Sequence, residues 1–307
     1  MSVAIYTHPV CLAHDPGPGH PESPSRLAAV LEALDDERFA SLARIEAPAA
    51  TREQLVRVHA RDLVDALLGA KFAEGWRRID ADTVMSPASA EAALRAAGAV
   101  CAAIDAAIAG VHARAFCAVR PPGHHATHDT AMGFCLFNSV AVGAAHAIAA
   151  HGLSRVAVVD FDVHHGNGTQ DIFWSDPRVL YVSSHQWPLY PGTGARGETG
   201  AGNVVNAPLR PGSGSSEFRA ACEEIVLPAV DRFAPEVVLI SAGFDAHRLD
   251  PLANLELDAD DYAWITTRLV ALAAKHASGR VVSSLEGGYS LTALRESTAA
   301  HVAALAA

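Results

Sequence analysis

Val156-Ala-Val-Val-Asp160-Phe-Asp162-Val-His164-His165-Gly-Asn167-Gly168 is the stretch whose reading decides the fold. Its first part is short, β-branched and continuously apolar, the pattern of a strand covered on both faces in a parallel sheet. Its second part turns at once into carboxylates, imidazoles and glycines, which a core does not choose. The same succession recurs along the chain. Strand candidates at 116–119, 179–183, 237–241 and 281–285 lead respectively into Arg120-Pro-Pro-Gly-His124-His125, Ser183-Ser184-His185, Gly243-Phe-Asp245 and Glu286-Gly-Gly-Tyr289. Alanine-rich stretches of helical period lie between them, at 23–34, 89–108, 138–151, 217–233, 258–276 and 291–305. In the first, Ser23 is placed to cap, Pro24 to take the first turn, and Leu27, Val30, Leu31 and Leu34 to form one stripe. Strands alternating with helices predict an α/β protein with a parallel sheet. Such sheets bind ligands at the carboxyl ends of their strands, so five polar clusters at five strand ends predict one site.

Composition agrees with an enzyme-sized folded chain. Of 307 residues, 50% are apolar and only 19% charged, and no linker, repeat or low-complexity segment interrupts the pattern, so one domain over 1–307 is expected. The net charge of −11, from 34 acidic and 23 basic residues with no basic run, disfavours nucleic acid and anionic membrane as partners. The start of the chain lacks a secretory pattern, and its most apolar stretch, 96–110, is too short to span a bilayer and is broken by Asp105. Cys11, Cys101, Cys117, Cys135 and Cys222 are odd in number and form no CxxC pair, so reduced, buried thiols and a cytoplasmic location are expected.

Asp160, Asp162 and His164 alternate at period two, so an extended chain would point all three one way. With Asp245 from another strand end as a further donor, they offer the residues of an Asp2His ligand set for a divalent metal. That set leaves a coordination position open, as in catalytic zinc sites, and its hard carboxylates also admit iron(II) or cobalt(II). Adjacent His124 and His125 each need an orienting partner for one ring nitrogen, and Asp160 and Asn167 are available. Tyr289, after two glycines, offers a hydroxyl to a developing oxyanion. Gly192-Thr-Gly194-Ala-Arg-Gly197 matches GxGxxG, but no helical pattern follows, so it is read as a loop. His20, His128, His185 and His247 receive no role beyond support or surface.

The motifs Arg120-Pro-Pro-Gly-His-His-Ala126, Gly133-Phe-Cys-Leu-Phe-Asn138, Asp160-Phe-Asp-Val-His-His-Gly-Asn-Gly-Thr169, Tyr190-Pro-Gly-Thr-Gly194, Ser241-Ala-Gly-Phe-Asp245 and Glu286-Gly-Gly-Tyr289, with His20-Pro-Glu-Ser-Pro-Ser-Arg26 before them, run through essentially the whole chain. Together they resemble the zinc-dependent histone deacetylase and acetylpolyamine amidohydrolase family, its class II and bacterial branch in particular. The resemblance implies an arginase-like three-layer α/β/α fold with a central, mainly parallel sheet, and hydrolysis of an N-acyl amide. It implies that Asp162, His164 and Asp245 hold zinc and that His125 is the general base and then acid, with Asn167 as its partner. His124, held by Asp160, would stabilise charge. Tyr289 would polarise the carbonyl, Phe134 and Tyr190 with Gly133 would wall the acyl-amine tunnel, and Arg26 would line an acetate channel. Backbone carbonyls of Asp160, Asp162 and His164, with Ser183 and Ser184, match a structural potassium site.

Two departures stand out: Asn167 replaces the Asp of class I relatives, leaving His125 less basic, and Tyr190 replaces the commoner Phe. Leu252 stands near where polyamine-selective relatives tend to carry an acid. The expected activity is deacetylation of N-acetylated primary amines, foremost ε-acetyl-lysine in proteins or peptides and otherwise small acetylated amines such as acetylpolyamines. A two-metal ureohydrolase would need a second aspartate where Ala246 and His247 follow Asp245. A non-catalytic acyl-lysine binder would lack a ligand or Tyr289, and neither is missing. Association into a homo-oligomer is left open.

Overall fold

Continuous apolar runs, too hydrophobic for any edge, become the middle of the sheet. The computed structural model describes residues 3–307; Met1 and Ser2, part of the domain expected over 1–307, lie outside the described residues. Its strands are β1 (Val3–Thr7), β2 (Ala43–Glu46), β3 (Arg77–Arg78), β4 (Val84–Met85), β5 (Arg114–Cys117), β6 (Val156–Asp160), β7 (Val179–Gln186), β8 (Val204–Leu209), β9 (Val237–Ala242) and β10 (Val281–Leu285). Eight of them form one sheet in the order β2-β1-β5-β10-β9-β6-β7-β8, every neighbouring pair parallel, while β3 and β4 form a small antiparallel pair. The five strands expected from the sequence, β5, β10, β9, β6 and β7, are five consecutive neighbours and buried throughout. Their carboxyl ends therefore deliver the five polar clusters side by side. Asp160 lies in register with Ser241 on one side and Ser183 on the other.

The differences from expectation have local causes. β5 lies two residues earlier than read, so Ala118 and Val119 lead into the Arg120 loop. β7 runs on to Gln186 and takes Ser184 and His185 into the sheet. β2 and β8 escaped notice because each lacks the continuous apolar run, whereas β1 carries one, Val3-Ala-Ile-Tyr6, and lies outside the expected strands all the same. β2 alternates between half-buried and exposed residues, and β8 carries Asn206 and Pro208, which only an edge strand tolerates.

The expected helices match closely, while Val10–Ala13, Arg52–Leu55, Arg61–Leu68 and Asn167–Phe173 are helices outside the expected stretches. Ser89–Ile108 has the expected bounds, and Asn138 caps Ser139–His151 by accepting the amide of Ala141 at 3.0 Å. Ser23 does not cap Pro24–Leu34 through its side chain, and its carbonyl takes the Arg26 amide at 3.0 Å. The helix expected at 217–233 is Ser215–Ala221 and Leu227–Phe233 joined by a π-turn, Cys222–Val226, just where Pro228 brings no N–H to the helix. After the Gly192–Gly197 loop the next helix is Ser215–Ala221. All five cysteines are buried and unpaired, and among the described residues no helix is long and apolar enough to cross a membrane.

Candidate active site

The period-two reading of Asp160, Asp162 and His164 fails after the strand ends, for a reason visible in the hydrogen bonds. Asp160 Oδ1 accepts the amide of Asp162 at 3.1 Å, and Asp162 Oδ1 accepts the amide of His164 at 2.9 Å. Two successive turns of this Asx type coil the chain, so the three side chains diverge. Asp160 faces His124, while Asp162 and His164 meet Asp245. His164 Nδ1 is 3.2 Å from Asp162 Oδ1 and 3.1 Å from Asp245 Oδ2, and one donor atom from each of the three residues lies within 4.8 Å of the others. Backbone amides hold the carboxylates: Gly287 N donates to Asp162 Oδ2 at 2.8 Å and Val163 N to Asp245 Oδ1 at 2.8 Å. Gly287 is required for space, since a Cβ there would lie 2.0 Å from Asp245 Oδ2.

This donor set fits a dication. Burial opposes a charge on His164, yet Asp162 and Asp245 push its pKa up to about 10, and burial with the charge of Asp162 pushes Asp245 up to about 7. Two carboxylates in a buried pocket thus call for positive charge at their midst, which a metal supplies while leaving the imidazole neutral. A second cluster, Asp105, His146 and His151, is built differently. Asp105 Oδ1 lies 2.7 Å from His146 Nε2 and 2.6 Å from His151 Nε2. Arg57 donates to His146 Nδ1 at 3.2 Å, which leaves the proton of the neutral ring on Nε2, aimed at Asp105. It is a hydrogen-bonded clasp between the helices Ser89–Ile108 and Ser139–His151.

His124 and His125 lie with ring centroids 4.0 Å apart but in opposite electrostatic settings. His124 Nδ1 meets Asp160 Oδ2 at 3.0 Å; burial opposes its charge, but Asp162, Asp160 and Glu286 hold its pKa well above the ordinary histidine value. His125 Nδ1 meets Asn167 Oδ1 at 2.8 Å; burial, then the charges of His124 and His164, hold it well below. One imidazole is built to be charged and its neighbour to be neutral. Glu286, quoted in the sequence without a role, fixes their loop: its Oε2 accepts the amides of Gly123 at 2.6 Å and His124 at 3.1 Å.

A cavity of about 250 Å³ opens over His125 and His164. Gly133, Phe134, Tyr190, Leu252 and Tyr289 line it together with Asp82 and Leu189. Phe134 adopts φ 68°, a left-handed conformation costly for a side chain of its size, and Thr83 Oγ1 accepts its amide at 3.1 Å. At Gly133, φ 58°, a Cβ would lie 2.5 Å from the His125 ring. Tyr190 stands edge-on to His125 at 5.1 Å, with 39% of its surface exposed at the mouth. Burial raises the Tyr289 phenol well above its ordinary pKa, so it keeps its proton at neutral pH; the Arg26 guanidinium, 4.8 Å from its ring, works in the opposite direction. Arg26 is itself fully buried and paired with Glu22 at 2.9 Å, which also takes two bonds from Arg120, at 2.5 and 2.7 Å.

A model of the histone deacetylase domain matches residues 20–305. The chain belongs to the histone deacetylase family. A probable deacetylase of Archaeoglobus fulgidus is 40% identical over 298 residues, covering 95% of this chain and 82% of that protein. A histone deacetylase-like amidohydrolase of Pseudomonas aeruginosa is 39% identical over 310 residues, covering 94% and 81% respectively. Among solved structures, the HD domain of HDA15 superposes with a TM-score of 0.92 at 37% identity, covering 99% of this chain and 88% of that one. The expected arginase/deacetylase-like fold and the deacetylase activity class are thereby established.

Within this deacetylase, two orienting pairs weighed from sequence, His124 with Asp160 and His125 with Asn167, are in contact. Ser183 and Ser184 are buried on β7 beside Asp160, where the Ser183 hydroxyl lies 2.9 Å from His185 Nδ1. His20, given no role from sequence, packs edge-on to Phe134 at 4.8 Å, and its Nε2 lies 2.9 Å from the carbonyl oxygen of Asp82. Asp82 was missed because it lies in the tight turn between two-residue strands, where Asp80 Oδ1 accepts the amides of Asp82 and Thr83, and such a pattern marks any turn.

Proposed function

We propose that this deacetylase hydrolyses the amide of ε-acetyl-lysine in proteins or peptides with a zinc-class ion held by Asp162, His164 and Asp245. The observation that carries the reading is the cavity itself: a mostly apolar tunnel reaches His164 of the three-donor cluster, beside a neutral imidazole and a protonated phenol. When bound, such an ion supplies a Lewis acid at the carbonyl and lowers the pKa of water from 15.7 to about 7. His125, held neutral and aimed by Asn167, takes a proton from the attacking water and returns it to the departing amine nitrogen. His124 keeps its proton through Asp160 and stabilises the developing negative charge. Tyr289 donates its hydroxyl to the carbonyl oxygen as charge builds there. Arg26, buried behind Tyr289, is assigned to the path by which acetate leaves. Iron(II) or cobalt(II) would satisfy the same donors. A structural potassium ion is assigned to the carbonyls of Asp160, Asp162 and His164 with Ser183 and Ser184, a reading supported by the register of Asp160 with Ser183.

Asn167 sets the pH range. A base must be neutral to act, so the acid limb of kcat/KM falls at the His125 pKa, and Asn167→Asp would place a carboxylate where an amide oxygen now sits 2.8 Å away. A charged partner favours the imidazolium and raises that pKa, so the acid limb is expected to move to higher pH by about one unit or more. A profile that moves to lower pH, or not at all, contradicts the assignment of His125 as the base.

One observation favours a second substrate. Leu252 is apolar, as expected for a site that does not select polyamines, but Asp82 brings a carboxylate to the cavity from another loop. It suits the distal ammonium of an acetylated polyamine as well as a peptide N–H. A panel of acetyl-lysine peptides, acetylspermidine and acetylputrescine, compared by kcat/KM on one preparation, decides between them. Higher values for the peptides are expected; higher values for the polyamines would replace the substrate proposed here, and hydrolysis of none would contradict both substrate readings.

A further inference from the structure

The backbone around Tyr289 is held group by group. Arg26 donates Nη2 to the Glu286 carbonyl at 2.5 Å and Nε to the Gly288 carbonyl at 2.6 Å. Gly287 donates to Asp162, and its carbonyl accepts the Phe244 amide at 3.0 Å. The amides of Tyr289 and Ser290 both go to one carboxylate oxygen, Asp250 Oδ2, at 2.7 and 3.3 Å. The other oxygen, Oδ1, takes the amide of Leu252 at 3.0 Å, on the tunnel wall. Asp250 is buried, and beyond it Ser290 caps the helix Leu291–Ala306. The glycines before Tyr289 leave that segment free to swing, Gly288 sitting at φ 123°. Asp250 is the group that closes this freedom from the tunnel side.

We propose that Asp250 is a positioning residue for Tyr289: its carboxylate fixes the phenol over the reacting carbonyl and ties that position to the tunnel wall at Leu252. The inference rests on the reading of Tyr289 as the hydroxyl that meets the carbonyl oxygen. A neutral aliphatic side chain at 250 would leave three amides without their acceptor and let the Gly-Gly-Tyr segment relax. Misplacement of a catalytic group by about 1 Å costs on the order of 10²-fold in rate.

The test is a double-mutant cycle on acetyl-lysine peptide, with Asp250→Ala and Asp250→Asn each made in the wild-type and Tyr289→Phe backgrounds, and thermal unfolding recorded for every protein. Asp250→Ala is expected to lower kcat about 10²-fold with KM changed only a few-fold. In the Tyr289→Phe background the same change is expected to cost no more than a few-fold, because the hydroxyl it positions is already gone. Asp250→Asn, which keeps one acceptor oxygen, should fall between; if Asp250→Ala does not fold, the Asn variant completes the cycle. An equal loss of kcat in both backgrounds, or an unchanged kcat in the wild-type background, overturns the inference. Should Tyr289→Phe itself turn over at the wild-type rate, the reading of Tyr289 fails instead.

Discussion

Tyr289→Phe is expected to lower kcat about 10²-fold or more, the cost of removing one donor from an oxyanion site, while KM changes far less. The asymmetry follows from when the hydroxyl acts. A ground-state amide oxygen carries little charge, and its hydrogen bond to a phenol merely replaces one to water; as the carbon becomes tetrahedral the oxygen gains charge and the bond strengthens. The site is prepared for that moment. Burial keeps the phenol protonated, Phe134 stands edge-on to its ring at 5.9 Å, and Arg26 lies over it. Phenylalanine keeps the ring and its packing, so the loss reports on the hydroxyl alone. A variant whose KM rises while kcat stays near wild type would place the phenol in binding instead.

Replacing a metal donor is expected to have the larger effect. In Asp245→Ala the cluster loses one of its two carboxylates and the acceptor for Val163 N, so bound metal and turnover should both fall to background. The same is expected of Asp162→Ala and His164→Ala. Elemental analysis alongside a rate assay checks it. Full metal with full turnover in Asp245→Ala would show that the three residues are not the ligands. Replacements in the Asp105, His146 and His151 clasp serve as the comparison, since they are expected to leave metal content unchanged.

How far the sequence could be read depended on whether a signal was local. β6 and β9 are doubly covered strands, and a continuous apolar run declares such a strand by itself; β10 is buried throughout as well, though Ser283 and Ser284 interrupt its apolar run. β8 escaped because Pro208 in an edge strand looks like a break. The candidate metal donors stood out through their places at strand ends. The extended chain that would point Asp160 with Asp162 and His164 does not continue past the strand, because two backbone amides fold it back through the aspartate side chains. Glu286 and Asp250 act on amides far away in the chain: the bond from His124 N to Glu286 spans 162 positions and that from Tyr289 N to Asp250 spans 39. A carboxylate that serves distant backbone leaves no periodicity and no spacing to find.

The central claim is that turnover depends on one ion held by Asp162, His164 and Asp245. The most direct measurement is to strip the wild-type protein with a chelator, verify the loss by elemental analysis, and return Zn²⁺ in steps while following acetyl-lysine peptide hydrolysis. Activity is predicted to vanish on stripping and to return in proportion to metal up to one equivalent per chain. Turnover that persists in the metal-free protein would contradict the account.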